Sequence, residues 1–175
     1  MPPDIQDEAA SPAMTGVLAV VAVELRTHLG ETVTDVSELH GQLVVRVPAE
    51  KRAEALAVLK VLGFEYYSWA CGVDWPQDDK LEVFDHVESI ARNVQVTVKC
   101  EVPRSNPRVP TGTTVYAGAD WHEREAWELF GIVFVGHPRL RRLLLPDWQE
   151  GFPMRKDELL RARIEKPWPG EFFSG

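Results

Sequence analysis

Charged side chains that could do chemistry are concentrated between residues 120 and 157. Acidic residues open this segment, and a histidine and several arginines follow. The candidates share this ordered arrangement of charge: Glu123, Arg124, Glu125, His137, Arg141, Arg142, Arg155, Lys156 and Asp157. Arginine binds carboxylates through two parallel hydrogen bonds and is common at protein interfaces. The segment therefore predicts ion pairs, either within one domain or across an interface with another protein.

Metal-dependent hydrolysis is the alternative chemistry. His122-Glu123 begins the pattern His-Glu-x-x-His, in which two histidines on one helical face hold zinc, but Ala126 occupies the second position. His137, which precedes a proline, is expected to make a turn or interface hydrogen bond. A second acidic set could hold a divalent cation weakly, although a solvated loop is the favoured interpretation: Asp74, Asp78, Asp79, Glu82 and Asp85.

Redox chemistry has no visible support in the residues. The chain lacks the Gly-x-Gly-x-x-Gly pattern of dinucleotide-binding loops. Its two cysteines, Cys71 and Cys100, are isolated and cannot hold an iron–sulfur cluster by themselves. Both are predicted to be buried. No cofactor and no self-contained active site are therefore expected in this chain.

Composition indicates a soluble globular protein, because 45% of the 175 residues are hydrophobic and 26% are charged. The net charge of −8 argues against a nucleic-acid binder. Most of the acidic excess precedes residue 120. The longest apolar run, 16–23, is too short to span a membrane, and the acidic N-terminus does not resemble a secretory signal. A cytoplasmic protein is expected.

Periodicity predicts an α+β domain with a mixed or antiparallel sheet packed by helices. Helices are expected at 15–29, 49–62 and 120–130, and strands at 32–39, 43–47, 64–75, 81–90, 94–102 and 132–135. His40-Gly41 and Arg92-Asn93 mark the turns of two hairpins, and 103–112 is expected to be a loop. In 94–102 valines and Cys100 alternate with polar residues, so one face of that strand meets the core.

Three regions are predicted along the chain. Residues 1–14 are expected to lack order, and 15–157 to form a single domain that contains the charged segment. Residues 158–175 form an extended C-terminal segment, in which prolines and glycines disfavour a helix. Trp168, Phe172 and Phe173 lie in this tail, and large aromatic side chains are costly to leave in water. They are expected to fold back on the domain or to dock on a partner.

Asp120 and Glu123 have the spacing of a capping box, which predicts that both cap the helix that follows. The alternative is that Glu123 is a partly buried carboxylate that needs a cation, for which Arg141 or Arg142 are the natural candidates. Arg124 and Glu128 lie one helical turn apart and are expected to pair with each other.

The order of residues in 120–157 resembles the diagnostic motif of a known family. The matching positions are Glu123-Arg124-Glu125, Glu128-Leu129-Phe130, His137, Arg141, Pro146-Asp147-Trp148, Gly151, Pro153 and Arg155-Lys156-Asp157. The family is the thirty-kilodalton ("C") subunit family of proton-pumping NADH:quinone oxidoreductase, respiratory complex I. Where that family usually has histidine, leucine and tyrosine, this chain has Phe152, Met154 and Glu158. Roles carried by that histidine or tyrosine do not transfer.

The resemblance implies a non-catalytic structural subunit of the peripheral arm. Its partners would be other complex I subunits, chiefly the large quinone-module subunit, with flavin and iron–sulfur clusters in those partners. It would lie at the cytoplasmic face of a bacterial-type cell membrane, attached only through the complex, with the candidate residues as fold anchors and interface contacts. The alternatives are an equivalent subunit of a membrane-bound hydrogenase or another quinone-reducing complex, and a free-standing metal-dependent hydrolase.

Overall fold

The structure, a computed structural model, describes residues 16–158 apart from the side chain of Glu31. The elements run in the order α1 (Val17–Leu29), β1 (Asp35–Leu39), β2 (Gln42–Arg46), α2 (Arg52–Val61), β3 (Tyr66–Trp75), β4 (Lys80–Ser89), β5 (Val94–Pro103), β6 (Arg108–Pro110), α3 (Ala119–Phe130) and β7 (Val133–Val135). The predictions of disorder in 1–14 and of an aromatic docking tail with Trp168, Phe172 and Phe173 lie outside the described residues.

One five-stranded mixed sheet, ordered β1-β2-β5-β4-β3, dominates the fold and confirms the predicted α+β class. The two expected hairpins, β1–β2 and β4–β5, are antiparallel, and so is β3–β4. Their turns pass through His40 and Asn93, each with a φ of 52°, a conformation that asparagine and histidine tolerate better than most residues. The contact between β2 and β5 is parallel and joins the two hairpins.

The helices cover one face of this sheet. On that face the alternation expected for β5 is confirmed, because Val96, Val98 and Cys100 are buried. From α2, Leu56 and Leu59 join the same core cluster, and Leu25 of α1 packs with them. The helix-covered face is therefore the hydrophobic core, with α2 packed over the central strand β5 and α3 over the edge strand β3 on the same side.

Polar side chains line the opposite face of the sheet. Arg46 Nη1 lies 2.8 Å from Glu82 Oε1, and the indole nitrogen of Trp75 donates to Glu82 Oε2 at 2.6 Å. The ring of His86 stacks on Trp69 with centroids 5.1 Å apart. The expectation of a solvated acidic loop was therefore wrong for Glu82, which is a buried and paired strand residue.

The proline-rich segment 103–112 was expected to be a loop, but it contains β6. This strand pairs in parallel with β7, and Val109 opposite Phe134 brings two buried side chains into the core. A three-residue strand is too short to leave a periodic signal in the sequence. The chain from 49 to 51 forms a 3-10 turn, so the second helix begins at Arg52 rather than at residue 49. Between residues 16 and 158 no helix combines the length and the apolarity that crossing a bilayer requires.

Candidate functional site

A buried ion cluster lies where α2, β4 and α3 meet, and Arg52 is at its centre. Its guanidinium binds Asp85 through two hydrogen bonds, Nε to Oδ2 at 2.7 Å and Nη2 to Oδ1 at 2.6 Å. Nη1 donates to Glu123 Oε1 and to the carbonyl of Pro110, both at 2.8 Å. All three ionic side chains are 0% exposed, so Asp85 is no more part of a solvated loop than Glu82 is. The cluster thus ties three distant parts of the chain together inside the core.

Further donors complete the hydrogen bonding of the two carboxylates, Glu123 and Asp85. Glu123 accepts from the Thr111 hydroxyl at 2.5 Å and from the Gly112 amide at 2.6 Å. The Tyr67 hydroxyl donates to Asp85 Oδ1 at 2.6 Å. Burial, followed by the negative charge of Asp85, raises the pKa of Tyr67 well above its ordinary value, so this hydroxyl stays protonated. Two carboxylates around one guanidinium are tolerated in the core because each oxygen has a donor.

The structure decides between the two interpretations of Glu123. The N-cap of α3 is Gly118, and no side chain caps this helix, so the capping box predicted for Asp120 and Glu123 is wrong. Glu123 is the buried carboxylate of the alternative, but its cation is Arg52 and neither Arg141 nor Arg142. One sequence signal could have identified Arg52. It precedes Ala55 and Leu59 at helical spacing, which places an arginine on the apolar face of α2.

Arg124 and Glu128 do not pair as predicted, because both bind the backbone of the loop that follows β7. Arg124 donates from Nε to the Arg141 carbonyl at 3.0 Å and from Nη2 to the Arg142 carbonyl at 2.8 Å. The Glu128 carboxylate accepts from three consecutive amides: Leu143 at 2.9 Å, Leu144 at 2.7 Å and Leu145 at 3.3 Å. The motif helix, α3, therefore holds the 141–145 loop in place through hydrogen bonds to the backbone of that loop.

Asp120 and His137 form a second polar contact at the start of α3. The backbone amide of Arg139 donates to His137 Nδ1 at 3.0 Å, so the proton of a neutral ring lies on Nε2. Nε2 faces Asp120, with its carbonyl oxygen at 3.3 Å and Oδ1 at 3.4 Å. Arg139 Nη2 binds Asp120 Oδ2 at 3.0 Å. His137 thus makes a turn-stabilising hydrogen bond within the chain.

The charged residues at 155–157 also bind other residues of the same chain. Arg155 Nε donates to the carbonyl of Phe130 at 2.7 Å, and the Lys156 amide donates to Asp74 Oδ2 at 2.8 Å. Asp157 pairs with Arg104 at 2.8 Å. These contacts fasten the C-terminal end of the motif segment across the end of α3 and the end of β3. Asp74, expected in a solvated loop, is buried in this arrangement.

The surface beside α3 carries one charged candidate residue together with exposed apolar side chains. Arg141 is exposed, and within the described range 16–158 only its carbonyl oxygen takes part in a hydrogen bond. Two large apolar side chains near it form what we call the motif patch: Trp121 is 59% exposed and Leu144 62%. Trp121 lies under the Arg124 guanidinium, at 5.4 Å, and Leu144 is held by Glu128, so the patch surrounds the Arg124–Glu128 side of α3. Neighbouring exposed apolar residues mark binding surfaces.

Residues 16–158 contain no cluster of three histidine, cysteine or acidic side chains placed to hold a metal ion. His122 lies beside the Tyr67 ring, 5.9 Å away between centroids. Burial raises the pKa of Cys100 to about 12, which leaves its thiol inert, and partial burial also raises the pKa of Cys71. The arrangement can anchor a loop and present a surface for binding.

Sequence comparison places these features in a family. Residues 45–163 match the model of the respiratory-chain NADH dehydrogenase, 30 Kd subunit. The chain is similar to C subunit 2 of the NADH-quinone oxidoreductase of Rhizobium etli, with 40% identity over 78% of this chain and 75% of that protein. It is also similar to the C subunit of the NADH-quinone oxidoreductase of Roseiflexus sp., with 36% identity over 82% and 85% of the two chains.

Solved structures agree with this assignment. The trypsin-resistant fragment of Nqo5 is 30% identical and superimposes with a TM-score of 0.61, covering 70% of this chain and 98% of the fragment. A chain of an archaeal membrane-bound sulfane sulfur reductase has the same fold, with a TM-score of 0.73 over 85% of this chain and 95% of that one, at 22% identity. The match to the family model spans the buried cluster, the motif helix and the loop that it anchors. This chain belongs to the family of the respiratory-chain NADH dehydrogenase 30 Kd subunit.

Proposed function

We propose that this chain is a non-catalytic structural subunit of the quinone module in the peripheral arm of a proton-pumping NADH:quinone oxidoreductase. The observation that carries the proposal is the family match over residues 45–163, together with relatives named as C subunits of NADH-quinone oxidoreductase. In this role the chain supports electron transfer from NADH to quinone, coupled to proton translocation, without binding either substrate.

The geometry of the motif supports a binding role. Its ionic side chains Arg124 and Glu128 form hydrogen bonds with backbone groups of the same chain. They act as fold anchors that hold the motif patch and Arg141 on the surface. A partner that covers the patch removes its apolar area from water, and an acidic side chain of that partner can pair with Arg141.

The large subunit of the quinone module is the partner that we propose for this surface. Flavin and iron–sulfur clusters belong to partner subunits in this proposal, and this chain holds none of them. The chain reaches the membrane only through the complex, at the cytoplasmic face of the cell membrane. The tail beyond residue 158, with Trp168, Phe172 and Phe173, is proposed to dock in grooves of neighbouring subunits.

Affinity purification of the full chain from its native membranes tests this function. We expect the NADH-oxidising flavin module and the large quinone-module subunit to be recovered at stoichiometric amounts. Recovery of a nickel–iron centre in place of the flavin module would assign the chain to a hydrogenase-type complex. Purification of the chain alone, with stoichiometric zinc or manganese and its own hydrolytic turnover, would contradict a structural role.

A further inference from the structure

The free edge of β3 differs from that of an ordinary edge strand. β3 has ten residues and pairs only with β4 among the described strands, whereas β1, at the other edge of the sheet, has five. Exposed edges are usually protected by lysine, proline or a bulge, since their unpaired amides and carbonyls attract other strands. β3 has no lysine, arginine or proline, and its single irregularity lies between Tyr67 and Trp69. From Trp69 to Val73 the strand is regular, and no residue in the range 16–158 pairs with its outer edge.

An apolar groove lies beside this edge. The cavity has a volume of about 120 Å³ and opens between β3 and α3, with Ala70 and Gly72 on one wall, Leu129 on the other and Met154 beside them. An apolar cavity of ~150 Å³ accommodates a benzene ring, so this one has room for a single aliphatic side chain. The groove is therefore suited to one apolar residue of a strand that pairs with β3.

Glu125 lies at the wall of the same groove. It is half-buried, and it makes no hydrogen bond or ion pair with any residue in the range 16–158. Each of the other acids of α3 has a partner: Asp120 pairs with Arg139 through Oδ2, Glu123 with Arg52, and Glu128 with backbone amides. A carboxylate held against an apolar groove is stabilised by a cation, and no described residue supplies one.

The spacing of these features matches that of a strand. Gly118 at the start of α3 lies next to Tyr67, and Phe130 at its end touches Gly72, so α3 runs alongside β3 in the same direction. Glu125 and Leu129 are one helical turn apart, or about 6 Å along the axis. Alternate residues of a strand are about 7 Å apart on one face. A strand added to β3 thus faces Glu125 and the Leu129 groove with residues two positions apart.

We propose that the free edge of β3 receives an extended segment of a partner subunit as a sixth strand, which places an aliphatic side chain in the groove and a lysine or arginine, two positions away, against Glu125. Backbone hydrogen bonds supply the affinity and the two side chains supply the specificity. A second copy of this chain fits poorly, because β3 pairing with β3 brings no basic residue to Glu125. The inference rests on the proposed function for the source of the partner.

Cross-linking in assembled complexes tests the proposal. Met154, at the groove, is replaced by the photoreactive residue p-benzoylphenylalanine in the full chain, and the cross-linked peptide is sequenced by mass spectrometry. We expect a peptide of another subunit that carries a basic residue two positions from an aliphatic one. Amides of residues 69–73 should also exchange hydrogen more slowly in the complex than in the isolated full chain, since pairing with a strand hydrogen-bonds them.

Two variants separate the proposed contact from a general change in charge. Glu125→Gln should lower the cross-link yield roughly tenfold, since the negative charge is lost and only a neutral acceptor remains for the basic side chain. Glu50→Gln removes the same charge from an exposed site away from β3 and should leave the yield unchanged. A cross-link to this chain's own residues 159–175, to a second copy or to a helix would overturn the proposal, as would no cross-link or equal yields for the two variants.

The test also separates this inference from the proposed function. If the cross-linked strand belongs to a complex without an NADH-oxidising module, the proposed function fails and the sixth strand stands. If affinity purification recovers the oxidoreductase but the groove cross-links to no extended segment, the proposed function stands and the sixth strand fails.

Discussion

Arg52 is the residue on which the core of this fold depends most. Its guanidinium compensates Asp85 and Glu123, and none of the three has exposed surface. Replacing both members of a buried pair by apolar residues can be harmless, but removing one member leaves a charge buried without compensation. The observed arrangement of α2, β4 and α3 is therefore one in which all three buried charges are compensated.

Replacing Arg52 with Met should lower the free energy of unfolding of the isolated chain by ~3–5 kcal/mol, because two carboxylates remain buried with no cation. Urea denaturation followed by circular dichroism measures the change. Lys51→Met is the matched control, since Lys51 is the neighbouring cation but is exposed, and among the described residues it pairs with Glu54 alone. Its effect should stay within about 0.5 kcal/mol. Equal losses for the two variants would contradict the role of Arg52.

We expect the stability of the folded chain to decrease in acid because of His86. Burial lowers its pKa below the ordinary value of 6.5, and the charge of nearby Glu88 offsets only part of this effect. The unfolded chain therefore binds the proton more tightly than the folded chain, so stability is full above pH 6.5 and decreases as the pH falls towards the folded value. His86→Phe keeps a ring against Trp69 and should remove this part of the slope. Unfolding titrations from pH 7.5 down to 5 test it, and an unchanged slope would refute it.

At the scale of elements, the close approach of α3 to β3 depends on a missing side chain. A Cβ atom at Gly72 would lie 2.8 Å from Phe130 Cδ2 and 3.1 Å from Ile132 Cδ1. Real Cβ atoms do not approach other atoms so closely, so any larger residue must push the end of α3 away from the sheet. The same approach forms one wall of the groove beside Glu125.

Gly72→Ala should therefore lower the free energy of unfolding by ~1–3 kcal/mol through overpacking, and thermal denaturation measures the loss. Gly118→Ala provides the control at the other end of α3. Its Cβ would have an ordinary contact of 3.6 Å with Tyr67, and its φ of −62° suits alanine. That variant should be neutral or stabilised by ~0.4–1 kcal/mol. A Gly72→Ala protein as stable as the control would show that α3 has room to move.

The elements were predictable where their pattern is local. Alternating valines identify β5, and the hairpin turns at His40 and Asn93 follow from short-range sequence. The parallel pairing of β2 with β5 has no local signal, because it joins strands separated by a helix and two other strands. The pairing of Arg52 with Glu123 was missed for the same reason, since 71 residues separate them. Sequence order favoured the nearby Arg141 and Arg142, and only the placement of Arg52 on the apolar face of α2 pointed to a more distant cation.

At the scale of the whole molecule, the motif segment makes two kinds of contact. Inward contacts of α3 complete the core, and contacts made along its side hold a loop whose apolar residues face outward. The motif residues were recognisable from the sequence, but their division between fold and surface was not. Arg124, Glu128, His137 and Arg155 bind inside the chain, whereas Arg141 and Glu125 remain available to partners.

Leu144→Ser should weaken incorporation into the complex roughly tenfold while changing the stability of the isolated chain by less than about 0.5 kcal/mol, because the side chain is 62% exposed. Quantitative pull-down of partner subunits measures the effect. Val61→Ser is the control, an exposed apolar residue at the end of α2 and away from the motif patch. If both variants assemble as well as the parent chain, the motif patch is not the interface.

The distance along the chain between the members of the buried cluster also has a consequence for synthesis. A ribosome releases residue 52 first, residue 85 next and residue 123 last, so the nascent chain cannot complete the cluster until the motif helix has left the exit tunnel. Until then Arg52 lacks one of its two carboxylates and β6 lacks its partner strand. The buried cluster of this domain therefore forms only after α3 has emerged, and the 141–145 loop that presents the motif patch binds that helix later still.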